Sequence, residues 1–466
     1  MALSRIWCAF IVIAIGVAGF KFFFIGNSQK IFSQMVVGKK ADTSYTTTID
    51  SIALPAKVAI ELQKNKEFEL ADNKYYKLAD TKYTVCKNQQ ANGILETCND
   101  SVGLCIGLIG IIAFFMGIMS IAEKAGGIRL LSKIIAPFFT KLFPDVPKDH
   151  PAMGFMMLNY AANLLGLDSA ATPFGLKAMQ SLQEINPKKD TASNAQIMFL
   201  CLHAAGLTLI PVSIIAVRNK MGATDPTDIF IPCLITTFVG TLAAMMIVSF
   251  KQKINLLQPA ILAWILSITV VLSILVVYVN TLSKDAMGVF SSALGTGILL
   301  LIILAIIVGA MYKKIDVFDA FVDGAKEGFF TAVKIIPFLV GMLVAISMLR
   351  ISGTFDTVLM GMQNFFHLLG CDTRFVDALP TAMVRPLSGQ GSRGLMIDTI
   401  KTYGANSFAA RLSGIIQGCS DTTLYIVALY YGSVSIKNIR YSIKAMLLAD
   451  VVALITAILL SYMFFG

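Results

Sequence analysis

The sequence predicts an all-α, polytopic membrane protein built from two inverted repeats that contain half-helices and broken transmembrane helices. Three observations carry this. Of the 466 residues, 56% are hydrophobic and 14% are charged, against roughly 25% charged in an ordinary soluble domain. Uncharged runs of membrane-spanning length recur along the chain. One order of elements, starting at residue 102, returns from residue 335. With a mean hydropathy of +0.73, a single core in water cannot hide this much apolar surface, so lipid is the solvent. A soluble enzyme, a disordered tail and a collagen-like fibre are excluded on the same grounds.

The first span, residues 6–20, lies between Arg5 and Lys21 with no small-x-small cleavage site after it, which predicts an uncleaved anchor over residues 1–25. Further spans are expected at 102–122, 195–217, 229–250, 254–281, 287–311, 335–349, 408–431 and 445–465. Lys251 with Lys253, Lys313 with Lys314, and Lys437 with Arg440 and Lys444 mark cytoplasmic loops. Alternation then puts the N-terminus inside and residues 26–101 outside, with Lys188 and Lys189 inside and Lys284 outside. The net charge of +10 thus reads as positive-inside topology. No basic patch interleaved with aromatics calls for nucleic acid.

The outer stretch 26–101 is expected to be a loop or small cap, with an amphipathic helix over 56–70 and a hairpin over 74–85. Six of the eight cysteines lie in or near apolar runs, where buried packing explains them. Cys86 and Cys98 stand in the polar stretch on the oxidising face and are a candidate disulfide. Three histidines and no zinc-type spacing leave no metal site to name.

The repeat organises the rest. Copy one, 102–250, has a span, an amphipathic stretch (127–143), a short apolar run (151–165) ending in Gly166-Leu167-Asp168-Ser169, a polar-faced helix, and two spans. Copy two, 315–466, repeats this with an amphipathic stretch at 354–369. Its short run, 375–384, is broken by Asp377 and ends in Arg385-Pro386-Leu387-Ser388-Gly389-Gln390. Residues 251–314 form a linking hairpin of two spans. The charge rule runs the first span of each copy in opposite directions, the arrangement of many secondary transporters. The short runs cannot span, and their exposed backbone ends are tolerated at depth only beside a buried or wet cavity.

His203 sits mid-span before Gly206 and Pro211, and the matching break is Gln417-Gly418-Cys419-Ser420-Asp421-Thr422-Thr423. Ionisable groups within spans are costly and mark functional sites, although a lone histidine is also often a satisfied structural residue. Asp450, near the start of the last span, reads as structural or interfacial. Arg385 and Arg393 flank the second tip, to meet a substrate anion or to pair with Asp168, Asp421 or backbone carbonyls. The expected lining is Asn163, Asp168, Ser169, His203, Arg385, Ser388, Gln390, Gln417, Ser420, Asp421 and Thr422. No phosphate-binding loop or Ser-His-Asp set is present, so a non-enzyme driven by an ion gradient such as Na+ or H+, by its substrate's own gradient or by a partner is expected, without cofactor.

Two segments carry a family resemblance. NLLGLDSAATPFGLKAM, residues 163–179, resembles spore maturation protein A. GAKEGFFTAVKIIPFLVGMLVAISMLRI, residues 324–351, with Arg385-Pro386-Leu387-Ser388-Gly389 and residues 417–423, resembles spore maturation protein B. The chain is similar to a fusion of the two, outside the outer loop. The resemblance implies gate domains of the nucleoside-recognition type, like parts of concentrative nucleoside transporters and the ferrous-iron permease, in a bacterial inner membrane. Asp168-Ser169 stands where the family pattern has Gly-Asn, and His203 where a small polar residue is usual. Both departures add titratable groups. The reading is a transporter of a small polar solute, nucleoside-like or a carboxylated metabolite, working by alternating access. A divalent-metal permease using Cys419, Asp421 and His203, and a non-transporting membrane scaffold, stand as alternatives. Lipid is the surrounding partner, and a homo-oligomer is left open.

Overall fold

The computed structural model describes the chain apart from residues 1, 25–29, 40–42, 51–66, 71–72, 78–81, 89–90, 148, 165–167, 210 and 283, and apart from further side chains that include those of Cys86, Asp168 and Ser169. Among the described residues, seven helices are long and apolar enough to cross a membrane: Trp7–Phe24, Ile94–Lys124, Phe230–Gln252, Pro259–Val279, Ala286–Tyr312, Val317–Ile351 and Ser442–Phe465. The chain is a multi-pass α-helical membrane protein, and each such helix closes its backbone hydrogen bonds internally, as lipid requires. Two compact units are present, Leu3–Val102 with Val340–Asn364, and Gly103–Leu339 with Phe365–Gly466.

In the first unit, α1 (Ala2–Phe24) buries Ala14 and Ala18 against Ile31, Met35, Met348 and Leu349. Alanines one turn apart let apolar neighbours approach closely. Trp7 Nε1 donates to the Gly341 carbonyl at 2.9 Å. Lys21 Nζ donates to the Ser352 carbonyl at 2.6 Å, just past a helix end where carbonyls lack partners. After α2 (Ile31–Val37) come, among the described residues, six strands, β1 (Gly38–Lys39), β2 (Thr43–Asp50), β3 (Glu67–Leu70), β4 (Asn73–Lys77), β5 (Lys82–Asn88) and β6 (Ala91–Asn92).

β1 pairs with β6, and the order β2-β5-β4-β3 makes an antiparallel sheet. This amends the all-α expectation in the stretch expected outside the membrane, where alternating polar and aromatic residues suit a strand. The expected hairpin is present as β4 with β5, in register Tyr75 to Val85. The expected helix over 56–70 fails at its end, where Glu67–Leu70 is a strand; 56–66 lie outside the described residues. Cys98 is a free thiol. The Cys86 side chain, and with it the expected Cys86–Cys98 bridge, lies outside the described residues.

The remaining helices lie mainly in the second unit, apart from residues 94–102 and 340–364. In order come α3 (Ile94–Lys124), α4 (Gly127–Leu142), α5 (Pro151–Leu164), α6 (Asp168–Glu184), α7 (Asn194–Ala204), α8 (Val212–Lys220) and α9 (Phe230–Gln252). The linking pair is α10 (Pro259–Asn280) and α11 (Lys284–Tyr312). Then follow α12 (Val317–Ile351), α13 (Thr354–Leu368), a 3-10 turn (Arg374–Ala378) with α14 (Leu379–Val384), α15 (Gly389–Tyr403), α16 (Phe408–Gly418), α17 (Thr423–Ser433) and α18 (Ser442–Phe465).

Two expected boundaries differ. The span at 335–349 is the later part of the 35-residue α12. Charges do not end that helix, because Asp323 accepts from Lys124 Nζ at 2.7 Å on α3. Gly324 and Gly328, four apart, let the α3 backbone come close: a Cβ on Gly328 would lie 2.7 Å from the Ala113 Cα. The run at 375–384 splits into two pieces, with Asp377 held by the Tyr403 hydroxyl at 3.0 Å and Pro380 starting α14.

The interrupted helices α7–α8 and α16–α17 lie side by side and antiparallel, as contacts at both ends show. At one end, the Lys437 and Asn438 amides donate to the Asp190 carbonyl at 2.9 Å. There Arg440 Nη1 reaches Asn194 Oδ1 at 2.8 Å and Gln252 Nε2 reaches the Asn194 carbonyl at 2.8 Å. At the other end, Asp228 is shared by Arg218 Nη2 at 2.8 Å and Arg411 Nε at 2.7 Å. Its carbonyl accepts from Ser291 Oγ at 2.8 Å.

Arg218 is fully buried and Asp228 nearly so. Asp228→Ala leaves that guanidinium without its counter-charge, a loss of about 3–5 kcal/mol. A large drop in the thermal midpoint of the purified protein is expected. Arg411→Ala, at a side chain 26% exposed, should cost less; an unaltered midpoint in Asp228→Ala would contradict the role given to the triad.

Candidate functional site

Where α7 and α16 stop, their last carbonyls need donors. Each N-cap places its break at the same remove. Ser193 caps α7 by accepting from the Gln196 amide, and Ser407 caps α16 by accepting from the Ala410 amide. Ten residues on from each cap stand His203 and Gln417. The breaks meet directly, because the Asp421 amide donates to the Ala204 carbonyl at 2.7 Å. The Ala205 carbonyl accepts from Thr241 Oγ1 of α9 at 2.8 Å. Past each break, a leucine amide returns to the end of the short helix in its own copy. Leu209 donates to the Leu164 carbonyl and Leu424 to the Pro386 carbonyl, both at 2.9 Å.

A polar cluster fills the join. His203, 6% exposed, faces α5 through Nδ1, with Asn159 Oδ1 at 2.9 Å and the Asn163 amide at 2.8 Å. Its Nε2 faces the Tyr430 hydroxyl of α17 at 3.2 Å and Asp421 Oδ2 at 3.9 Å. Tyr430 lies flat against α6, where a Cβ on Gly175 would fall 2.5 Å from its hydroxyl. Only glycine leaves room for that phenol. Asp421 Oδ1 accepts from the Thr422 amide at 2.7 Å, and its side chain is 52% exposed. An accessible carboxylate thus stands beside a buried imidazole.

The second tip closes the other side. Arg385 Nη2 donates to the Ser420 carbonyl. Asp450, on α18, accepts from Thr423 Oγ1 at 2.6 Å. Ser388 caps α15 by accepting from the Gly391 amide at 3.0 Å. Gln417 Oε1 accepts from Ser392 Oγ at 2.7 Å, and its Nε2 donates to the Gly389 carbonyl at 3.2 Å. Two buried polar atoms here, Arg385 Nε and Gln390 Oε1, have no hydrogen-bond partner among the described residues. One is a donor and one an acceptor, the pair a polar solute needs.

Asn163, His203, Arg385, Ser420, Asp421 and Thr422 therefore gather at one place. Ser388 and Gln417 sit beside it, engaged in capping and helix-to-helix bonds. The side chains of Asp168 and Ser169 are outside the described residues. Sequence reasoning missed Asn159 and Tyr430, named Thr423 in the break without placing it in the lining, and read Asp450 as structural or interfacial. Asn159 precedes Asn163 by one helical turn, a legible signal. Asp450 is the acid within the final apolar span, which the rule for intramembrane charges flags. Nothing local marks Tyr430. Cys419 turns its thiol to the Ile416 carbonyl at 3.1 Å. Among the described residues no three His, Cys, Asp or Glu side chains are grouped as metal ligands.

Comparison with known proteins agrees with this layout. Residues 105–221 and 332–437 match the family model described as Gate, nucleoside recognition. The chain is 39% identical over 164 residues to spore maturation protein A of Bacillus subtilis (strain 168), covering 34% of this chain and 84% of that protein. It is 39% identical over 166 residues to spore maturation protein B of the same organism, covering 36% of this chain and 92% of that protein. Both breaks fall within the Gate matches, and Asp450 falls after them.

Thr423→Val removes one of the donors to the half-buried Asp450 carboxylate, a loss of about 1 kcal/mol. Denaturant or thermal unfolding should show that loss, with Thr423→Ser close to wild type. Equal stability of the valine and serine variants would mean that the bond contributes nothing.

Proposed function

Since the chain belongs to the spore maturation protein A/B family, joining both members' relatives in one polypeptide with nucleoside-recognition Gate segments, we propose that it is a membrane transporter of a small polar solute rather than an enzyme. One observation carries the reading. Two interrupted helices from separate copies meet at their breaks, through the Asp421 amide and the Ala204 carbonyl, amid an accessible carboxylate and orphaned donor and acceptor atoms. Helix interruptions within a membrane protein are tolerated where they line a cavity, and paired interruptions in antiparallel copies are the hallmark of a site served from either face.

In this reading the copies are inverted repeats, and rocking of one against the other exposes the site alternately. The solute's hydroxyl or amine hydrogens meet Asp421, and its acceptors meet Arg385 Nε. A nucleoside-like solute or a carboxylated metabolite offers both kinds of group. The membrane is the bacterial cytoplasmic membrane, with Lys188, Lys251, Lys437 and Arg440 on the inner side by the charge rule. Three of those loops lie together, joined through Asp190, Asn194 and Gln252, which supports placing them on one face.

The test begins with a thermal-shift screen of nucleosides, amino acids, dicarboxylates and divalent metals, followed by flux in proteoliposomes for the stabilising class. Asp421→Asn should stay folded and lose flux by about tenfold or more, the effect of weakening a charge-assisted hydrogen bond. Wild-type flux in that variant would remove Asp421 from the site. Absence of both a stabilising ligand and flux would leave the scaffold reading in place of transport.

A further inference from the structure

We propose that His203 Nε2 and the Asp421 carboxylate form a proton-binding pair, and that H+ is the ion taken up there in each transport cycle. The cycle rests on the transport reading above; the pair rests on geometry alone. Asn159 fixes the tautomer of the ring. Its Nδ2 donates to the Ala171 carbonyl at 2.6 Å, so its Oδ1, 2.9 Å from His203 Nδ1, is an acceptor. Reversing that amide would press two carbonyl oxygens together. The proton of the neutral imidazole therefore resides on Nδ1. Asn163 Nδ2 stands 2.8 Å from the same nitrogen, so protonation of Nδ1 requires that side-chain amide to turn by half a rotation and present its oxygen instead.

The Nε2 lone pair is left facing Tyr430 and Asp421. A second proton on Nε2 sits between a phenol oxygen and a carboxylate. The groups around the ring are Asn159 and Asn163 of α5, Phe199 of its own helix, Tyr430 of α17 and Asp421 of the break. Asp421 is the charged one among them, and Asp450 lies within electrostatic reach of it. His203 is the last but one residue of α7, where the helix dipole favours a cation.

Access sets the order of events. The Asp421 side chain is 52% exposed and that of His203 is 5% exposed. A proton from water therefore lands first on the carboxylate. The O–H bond of that transient acid breaks as the N–H bond at Nε2 forms, leaving imidazolium against carboxylate. Release runs the same steps backwards. Because the imidazolium draws Asp421 toward itself, the proton and a hydrogen-bond donor on the solute compete for the same oxygens.

Three histidines, His150, His203 and His367, make nitrogen NMR of histidine-labelled protein in detergent a direct readout. His203→Asn assigns its signals by their loss. In the wild type, the His203 ring should pass from the Nδ1–H neutral pattern to the doubly protonated pattern between about pH 9 and pH 5. In Asp421→Asn the same change should require at least about a tenfold higher proton concentration, since an opposing charge within a few ångströms is gone. A ring that keeps one form across that range, or that titrates alike with and without the carboxylate, overturns the pair whatever happens to transport. A ring that titrates as expected in a protein that moves no solute keeps the pair and removes the transport reading.

Discussion

A helix broken inside a membrane must have its bare carbonyls and amides satisfied by other protein, because lipid offers no hydrogen bonds. That requirement explains the centre of this structure. The end of α7 is satisfied from the break between α16 and α17, through the Asp421 amide. The ends of both short helices are satisfied by leucine amides beyond the breaks. The α7 end thus depends on the break that stands next to it. The two interrupted helices are linked at their breaks by a bond that neither could form alone.

Charge follows the same logic. Isolated ions inside a membrane protein are expensive, and every buried ion described here is held by specific partners. Arg218 and Arg411 share Asp228 at one end of the interrupted helices. Arg385 caps a break carbonyl, and Thr423 steadies Asp450. Asp421 departs from this pattern. It keeps one oxygen on the Thr422 amide, and half of its side chain is left uncovered by protein. A carboxylate so placed is free to change partners, which a structural ion pair is not.

Close packing is set by small residues at particular crossings. Gly324 and Gly328 bring α12 onto α3, and Gly175 makes room for the Tyr430 hydroxyl beside His203. In a membrane the driving force for such contacts is fit rather than hydrophobic burial, so one added methyl group at these points alters the geometry it supports. The fit at Gly175 is what keeps the Tyr430 oxygen within reach of the ring.

Composition, run length and lysine placement determined by themselves that this is a polytopic membrane protein with a repeated order of elements, because lipid imposes apolar runs of known length and loops obey a charge rule. The breaks at His203 and at Ser420-Asp421 were legible for a related reason: polar residues within apolar runs have few permitted explanations. The sheet of residues 43–88 was only partly legible, since a polar stretch outside the membrane is under weaker constraint. Tertiary structure decided that Asn159, Tyr430 and Asp450 lie beside the breaks, although Asn159 and Asp450 carried a local signal and Tyr430 carried none. Their roles depend on which helices cross beside the breaks, with Tyr430 lying 227 residues from His203, and no local pattern encodes a meeting across that distance.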